Sequence, residues 1–218
     1  MSMPISDLCR VWLAGAFVVL AACEMPPVDS SGDAREGTPE MRRMVLEANG
    51  RGVVVAPPRG YCIDTTTATA TAVLIGDCAA MGVDVEPAAA PNVLSLMSAS
   101  VSDAEVPGSG GLAARMARLE RVLQASGTGQ LLAEGDGVAR IVETHLQGDT
   151  VYVLVDDGSA TAFVGAASRY WRAFSEENGR MIKLTVRALE RTWPGEQALL
   201  DRAVAFRESV RRANAGAV

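Results

Sequence analysis

Cysteine and histidine are the residue types in this chain whose positions could support chemistry. The four cysteines stand at positions 9, 23, 62 and 78, and the only histidine is His145. A thiol can be acylated, oxidised to a disulfide or used as a nucleophile, and an imidazole can act as a base or a metal ligand. The sequence has none of the local patterns of serine nucleophiles, zinc-binding helices, phosphate-binding loops or dinucleotide-binding turns. No catalytic residue is therefore predicted.

The first 22 residues have the organisation of an export signal. Arg10 and the amino terminus supply positive charge, which Asp7 weakens, and an uninterrupted apolar run follows from Val11 to Ala22. The length of this run fits the ~7–15 residues of a signal-peptide core and is well short of the ~20 residues of a membrane-spanning helix. The sequence therefore predicts a signal peptide over residues 1–22 rather than a transmembrane helix.

The apolar run ends in Leu20-Ala21-Ala22-Cys23, which resembles the lipobox of bacterial lipoproteins. The resemblance implies cleavage before Cys23 and attachment of lipid to its thiol, and two or more acyl chains hold a protein firmly at a membrane. Glu24 rather than aspartate follows, so the sorting rule of enteric bacteria favours the periplasmic face of the outer membrane over the inner membrane. An ordinary cleaved signal followed by a chance cysteine is the alternative.

Cys62 and Cys78 remain once Cys9 has left with the signal and Cys23 carries lipid. They form an even pair in an oxidising compartment, for which a disulfide is the expected state. A redox-active pair needs two residues between its cysteines, whereas these are 16 apart, and a metal site needs further ligands that their neighbours do not offer. The sequence predicts a structural disulfide worth about 3 kcal/mol in the chain-entropy treatment.

The other polar groups with possible chemistry have simpler structural explanations. His145 is predicted on a strand, facing solvent. Asp156-Asp157-Gly158 offers oxygen ligands for calcium but lacks the alternating acids of an EF-hand loop, and it also fits a turn. Glu176-Glu177 fits a turn as well, and Trp171 is predicted in the core. No metal or cofactor is expected, although distant carboxylates acting with His145 leave a hydrolase as one possibility.

Composition divides the rest of the chain into a tether and a domain. Residues 23–37 are rich in proline, serine, glycine and charged residues, so they predict a flexible tether. Residues 38–218 have the length and apolar content of one globular domain. The formal net charge is −6 at pH 7, which argues against nucleic-acid binding because that function needs a basic surface.

Apolar spacing predicts helices and strands in alternation. A helix is predicted to begin at Thr38-Pro39-Glu40, to continue through Met41, Met44, Val45 and Ala48, and to stop at Gly50. Strands are predicted at residues 53–55, 73–75 and 92–101, and the state of residues 65–71 is left open. Residues 107–111 predict a hinge or exposed loop. A helix over residues 112–125 has a row of arginines on its polar face that fits a solvated surface or an anionic partner: Arg115, Arg118 and Arg121.

The C-terminal third predicts two hairpins and a closing helix. The hairpins pair residues 138–146 with 150–156, and 169–174 with 180–187, the second through a turn ending in Asn178-Gly179. In the last strand one face is apolar, and Lys183 and Thr185 share the other. A helix over residues 196–213 is predicted to cover the apolar face with Leu199, Ala203, Phe206 and Val210.

These elements predict an α+β fold: a single domain with an antiparallel sheet built of hairpins and flanking amphipathic helices. The order of elements over residues 50–213 is similar to the layout of Mog1/PsbP-like domains. The segments Gly60-Tyr61-Cys62-Ile63-Asp64, Gly76-Asp77-Cys78 and Tyr170-Trp171-Arg172-Ala173-Phe174 resemble an uncharacterised group of proteobacterial envelope proteins. Neither resemblance implies catalytic residues.

The sequence therefore predicts a membrane-anchored periplasmic lipoprotein that is not an enzyme and acts through protein contacts in the cell envelope. Its expected partners are the membrane, through lipid on Cys23, and an envelope protein. A periplasmic module that binds a small molecule or lipid between sheet and helices is the first alternative. A carboxylate-dependent hydrolase is the second. The oligomeric state is left open.

Overall fold

A seven-stranded antiparallel sheet forms the frame of the protein. The computed structural model describes residues 38–84, 91, 94–102, 109–125, 127–159 and 163–216, all within one compact unit, Ala34–Val218. The predicted signal peptide and tether lie outside the described residues. In chain order the elements are α1 (Pro39–Arg42), β1 (Met44–Ala48), β2 (Arg51–Val55), β3 (Tyr61–Asp64), β4 (Ala72–Asp77), β5 (Ser95–Ser102), α2 (Leu112–Leu123), β6 (Ala139–Gln147), β7 (Thr150–Asp157), β8 (Ala166–Glu177), β9 (Arg180–Leu189) and α3 (Glu196–Asn214), with short 3₁₀ turns at Thr128–Leu132 and Glu190–Thr192.

The sheet consists of two meanders joined through their last strands. Its order is β3-β4-β5-β9-β8-β7-β6, and β1 and β2 form a separate two-stranded ribbon. The joint is the antiparallel pairing of β5 with β9, which runs from Ser95 opposite Ala188 to Ser102 opposite Met181. The predicted α+β class with an antiparallel sheet of hairpins is thus what the described residues show.

The first predicted helix is wrong beyond Arg42. The chain leaves α1 after one turn and enters β1, which pairs with β2 across Asn49-Gly50. Both turn residues have positive φ, 49° and 71°, as the two-residue turns of twisted hairpins require. Burial alternates along β1, with Leu46 and Ala48 buried, so the period is two. Gly50, which was predicted to end a helix, is the second residue of a hairpin turn.

One face of the sheet packs against α3 and the β1-β2 ribbon. The four residues predicted to face the sheet from this helix are all buried, and they meet Trp171, Ile182, Leu184 and Val186 in one cluster. Burying such a side chain contributes about 1.5–3 kcal/mol. The indole of Trp171 also donates a hydrogen bond to the backbone oxygen of Glu196 at 2.9 Å, which fixes the start of α3. Trp171 is a core residue, as predicted.

Polar contacts fix the other parts of α3. The buried guanidinium of Arg207 contacts Glu177 and Asp149, beside the turns of both C-terminal hairpins, and donates to Thr150 at 3.0 Å. At the helix end, the Asn214 amide accepts from the Val54 backbone N–H at 2.9 Å and donates to the Val54 oxygen at 2.8 Å. The Asn214 side chain therefore satisfies the backbone groups of Val54 in β2 as a neighbouring strand would.

Within the described part of the chain, the second face of the sheet is covered over β6, β7, β8 and the Met181 end of β9. Met116 and Leu123 of α2, together with Leu132 of the adjoining 3₁₀ turn, pack on a cluster that includes Val153 and Tyr170. This helix agrees with the predicted one and ends two residues earlier. Its arginine row is divided: Arg118 and Arg121 are exposed, whereas Arg115 pairs with Glu176 at 2.6 Å.

The remaining local predictions have clear outcomes. The strands predicted at 53–55, 73–75 and 92–101 are confirmed as parts of β2, β4 and β5, although residues 92–93 lie outside the described residues. Residues 65–71 form a turn closed by the Asp64 carboxylate, which accepts from Thr66 and Thr67. Two of the five residues of the predicted 107–111 hinge also lie outside. No described helix is long and apolar enough to cross a membrane.

The predicted disulfide between Cys62 and Cys78 is present, with the two Cα atoms 4.9 Å apart. Cys62 lies on β3, and Cys78 follows β4 directly. Both are fully buried with Val83, and Met81 packs against them. The bond therefore fixes the turn after β4 to the edge of the sheet.

Replacement of both cysteines by serine is expected to lower the free energy of unfolding by about 3 kcal/mol, because the unfolded chain loses a 16-residue cross-link. The measurement is thermal unfolding followed by circular dichroism. Reductant should lower the Tm of the wild type and leave that of the double variant unchanged. A wild-type Tm that does not respond to reductant would contradict the disulfide.

Candidate functional site

The uncovered half of the second sheet face is the candidate site. We call it the open half-face, and it consists of six side chains of β4, β5 and β9 that point to the α2 side of the sheet and lie beyond the α2 core. Among described residues no helix lies over them. Its members are Leu74, Leu96, Ser98, Ser100, Lys183 and Thr185.

Strand register arranges these side chains in cross-strand rows. Ser98 of β5 stands between Leu74 of β4 and Thr185 of β9, and Ser100 stands opposite Lys183. Side chains directly opposite one another are about 4.5–5.5 Å apart at Cβ. Because the residues of β5 in these rows are small and their neighbours on β4 and β9 include larger ones, a groove follows β5.

Two adjoining clefts of about 210 Å³ and 190 Å³ lie along this groove. They share Leu74 and Ser98 as lining residues. The larger is mainly apolar and extends to Met81, Leu96, Phe163, Thr185, Arg187 and Glu134. The smaller extends to Lys183 and Ser100. An apolar channel with a few polar groups at defined positions is typical of small-molecule sites.

A pair of buried arginines forms the boundary between the groove and the α2 core. We call this group the arginine clasp: Arg172 of β8 and Arg187 of β9, joined by the Glu134 carboxylate. Glu134 accepts from Arg172 at 2.9 Å and from Arg187 at 2.8 Å. The arginine side chains are only 5% and 6% exposed. Such charges are tolerated in an interior when they are paired and hydrogen-bonded.

The aromatic ring of Tyr170 supports the clasp from below. The guanidinium carbons of Arg187 and Arg172 lie 4.0 Å and 5.0 Å from its centroid, within cation–π range. The Tyr170 hydroxyl donates to the backbone oxygen of Leu132 at 2.9 Å, and burial raises the pKa of this phenol. Arg172 donates to the same oxygen. These contacts fix the positions of both guanidinium groups.

Asp157 at the end of β7 fixes the turn that carries Glu134. Its carboxylate accepts from the backbone N–H of Glu134 at 2.8 Å and of Ser159 at 2.9 Å. Burial raises the pKa of the Asp157 carboxyl, but these hydrogen bonds outweigh it and hold the pKa below its ordinary value. Gly137 completes the turn, because a Cβ there would overlap the backbone of Ser159.

Lys183 is the cation of the open half-face that has no fixed partner among the described residues. No ion pair or hydrogen bond joins its ammonium group to another described residue. Burial lowers the pKa of this ammonium and the Arg172 guanidinium lowers it further, against the opposite influence of Glu134. The prediction that Lys183 and Thr185 share a face is confirmed, since both line the groove.

The other residues with possible chemistry lie elsewhere. His145 is on β6 opposite Tyr152 and therefore faces the α3 side, where it is partly exposed and 2.9 Å from Glu143. Asp156 and Asp157 are consecutive on β7 and point to opposite faces, so they do not share a cation. Among the described residues, no three His, Cys, Asp or Glu side chains are grouped to hold a metal ion.

The acidic pair Glu176-Glu177 is divided in the same way. Glu176 pairs with Arg115 of α2, and Glu177 contacts Arg207 of α3. The hydrolase alternative required carboxylates to meet beside His145. Among the described residues, Glu143 is the carboxylate that contacts His145, and the groove lies on the other face of the sheet.

The arginine clasp was missed by the sequence reasoning. A signal existed in β8 and β9, where Arg172 and Arg187 occupy positions in strands whose other residues are largely buried. A charged residue at such a position needs a buried partner. That partner, Glu134, lies in a loop far away in sequence and gave no signal of its own.

The chain matches no model of a known protein family, and no curated protein matches it. The site is therefore interpreted from its own geometry.

Asp157→Asn is expected to change the dependence of stability on pH. Because the folded-state pKa of Asp157 lies below the unfolded value of about 3.9, its charged form stabilises the fold above about pH 4. This contribution is lost as the pH falls through the folded-state pKa. Denaturant unfolding between pH 7 and pH 3 should show a lower stability for the variant at pH 7 and a smaller further loss in acid.

The matched control is Asp136→Asn, which replaces an exposed aspartate of the same turn. Its profile should run parallel to that of the wild type. Parallel profiles for Asp157→Asn would rule out the proposed role of this carboxylate.

Proposed function

We propose that this protein is a non-enzymatic accessory domain of the bacterial cell envelope, lipid-anchored through Cys23 and facing the periplasm. It acts by binding a ligand on the open half-face. The observation that carries the proposal is the groove along β5, whose one wall is the fixed arginine clasp. Because the side chains of this wall are already fixed, they lose little conformational entropy when a ligand binds, which favours binding.

The polar groups around the groove support binding rather than catalysis. Arg172, Arg187 and Glu134 are engaged with one another and with backbone oxygens. Lys183 is the basic side chain opposite a floor hydroxyl, that of Ser100, and among the described residues no hydrogen bond joins the two. His145 is on the opposite face of the sheet. A hydroxyl needs a hydrogen-bonded base to become a nucleophile, so the described polar groups favour recognition over catalysis.

The anchor and the location in the envelope rest on the sequence. The Leu20-Ala21-Ala22-Cys23 pattern after an apolar run of signal length supports lipidation of Cys23. The Cys62–Cys78 disulfide is consistent with an oxidising compartment. We propose that residues 23–37 are the tether, and that the outer membrane is favoured by Glu24.

Cys23→Ala is expected to abolish lipid labelling of the protein. Cells producing the full chain would be fed an alkyne-bearing palmitate, and the purified protein would be tested for the alkyne by fluorescent conjugation. The wild type should be labelled because the thiol is the only proposed attachment point. Cys62→Ser is the matched control, since it removes a different thiol, and it should remain labelled. Equal labelling of wild type and Cys23→Ala would contradict the anchor.

Ser98→Trp is expected to block binding on the open half-face, because the indole fills the groove between Leu74 and Thr185. The probe is dodecanol with a terminal diazirine, used on the full chain in phosphatidylcholine vesicles. Illumination should label the peptides that contain β5 and β9 saturably in the wild type. The variant should lose most of this labelling, because its affinity for the probe should fall by about tenfold (1.4 kcal/mol).

His145→Trp adds the same side chain to the opposite face and serves as the matched control. It should be labelled like the wild type. Labelling that rises without saturation, or that Ser98→Trp leaves unchanged, would reject binding at this groove.

A protein partner held by β6 is the second candidate function. This strand is an edge of the sheet, and Val138, Val142 and Leu146 on or beside it are exposed. Free edges and exposed apolar side chains favour pairing with another chain. The irregularity between Ile141 and Glu143 restricts such pairing to part of the strand. Because Ser98→Trp leaves β6 unchanged, a partner held there should be retained by that variant in cross-linking experiments.

A further inference from the structure

The wall of the groove is basic although the chain as a whole is acidic. Three cations, Arg172, Arg187 and Lys183, point to this side of β8 and β9. Glu134 is the carboxylate that contacts the two arginines directly. Asp157 lies behind the clasp, where it accepts from backbone N–H groups. Asp64 is at the far end of the larger cleft, where it accepts from Thr66 and Thr67. The local excess of positive charge is therefore at the β9 wall.

Within this wall the arginines are already satisfied. Arg172 donates to Thr185, to the Leu132 oxygen and to Glu134. Arg187 donates to the Ala167 oxygen at 2.6 Å and to Glu134. These bonds hold both guanidinium groups in place, so that they contribute a fixed positive potential to the groove without being available as ligands.

Lys183 is different because its side chain is partly buried and its ammonium group has no partner among the described residues. A partly desolvated cation is destabilised unless an anion approaches it. Burial and Arg172 lower the pKa of the ammonium, and a bound anion would reverse this. Lys183 also lines the smaller cleft. An anion bound to its ammonium group would therefore lie at that end of the groove.

The shape of the groove selects a slender ligand. Each cleft is smaller than the roughly 300–1,000 Å³ of common small-molecule pockets, and the two adjoin at Leu74 and Ser98. From Lys183 to Arg187 the groove follows five residues of β9, a span of about 13 Å at a strand rise of about 3.3 Å per residue. Leu96 and Met81 line its apolar part. A single alkyl chain fits these dimensions.

A peptide is a poorer fit than an alkyl chain. The groove lies on the face of the sheet, where the backbone groups of β4, β5 and β9 are already paired with their neighbours. A peptide entering the groove would leave its own amide groups without partners, and each unpaired buried group is costly. An alkyl chain has no such groups.

We propose that the open half-face binds a single-chain amphiphile with an anionic head group, the head at Lys183 and the chain along Leu74 and Leu96. This inference rests on the proposed function and adds the chemical class of the ligand to it. The arginine clasp supplies positive potential from a fixed position, and Lys183 makes the direct contact with the head group.

The test compares two photoreactive probes that differ only in the head group: dodecanoate and dodecanol, each with a terminal diazirine. The full chain is held in phosphatidylcholine vesicles, and labelling of the β5 and β9 peptides is followed by mass spectrometry. The wild type should reach half-saturation at about a tenfold lower concentration of the carboxylate probe than of the alcohol. Salt should reduce this difference, because charge attraction at a partly exposed site is screened.

Lys183→Met removes the charge and keeps the length of the side chain. It should bring the half-saturation of the carboxylate probe to that of the alcohol, whereas Lys183→Arg should keep the difference. Neither variant should unfold at a lower temperature than the wild type, because Lys183 has no described partner to lose and Lys183→Met removes a partly desolvated charge. A preference for the carboxylate that survives Lys183→Met would overturn the inference.

The outcomes separate the ligand class from the binding function. If both probes saturate the groove at the same concentration, the open half-face binds apolar chains without regard to charge, so the inference fails and the proposed function stands. If neither probe saturates, both fail. Competition by unlabelled dodecanoate but not by inorganic phosphate supports an amphiphile. Equal competition by inorganic phosphate would overturn it in favour of a small anion.

Discussion

The structure depends on β9, because this strand joins the two meanders and serves both faces of the sheet. It pairs with β5 on one side and β8 on the other. Its alternate residues Ile182, Leu184 and Val186 are buried against α3, and those between them point to the groove and the arginine clasp. Period-two alternation means that a shift of one residue would exchange the two sets. The apolar contact with α3 therefore also decides which residues line the groove.

The arginine clasp is better understood as a device that sets geometry than as a source of stability. Desolvation of a buried ion costs several kcal/mol, and charge-assisted hydrogen bonds return about 1.5–3 kcal/mol each. The two sides are comparable, so the net contribution to stability is small. The clasp holds the Glu134 turn against Tyr170 at the boundary between the α2 core and the groove.

Incomplete cover of the sheet is the feature that the proposed function uses. The long helix α3 and the β1-β2 ribbon cover one face, whereas in the described part of the chain α2 covers the other face over β6, β7, β8 and the Met181 end of β9. The Cys62–Cys78 disulfide lies at the far side of the groove and supports Met81, which lines it. Both walls are thus held by constraints independent of any ligand, by a covalent bond near β3 and by paired charges near β8. The proposed lipid tether would present this groove to molecules in the periplasm.

The sequence by itself determined the features that depend on local spacing. The spacing of apolar residues predicted strands such as β4 and the helix α3 with its buried face. Turn-forming residues predicted the hairpin at Asn178-Gly179, and the number and positions of the cysteines predicted the disulfide. It also placed Lys183 and Thr185 on a common face. It was wrong at β1, because Met41, Met44, Val45 and Ala48 fit helical spacing and Gly50 fits both a helix stop and a hairpin turn. Only pairing with β2 decides between these.

Tertiary structure alone decided the site. Nothing in the sequence brings Glu134 to Arg172 and Arg187, or makes β5 the neighbour of β9, because these contacts join residues that are distant along the chain. Which half of a sheet face remains uncovered depends in the same way on where α2 docks. Local spacing sets the direction in which each side chain points, whereas long-range packing decides which of those side chains meet and which stay open to a ligand.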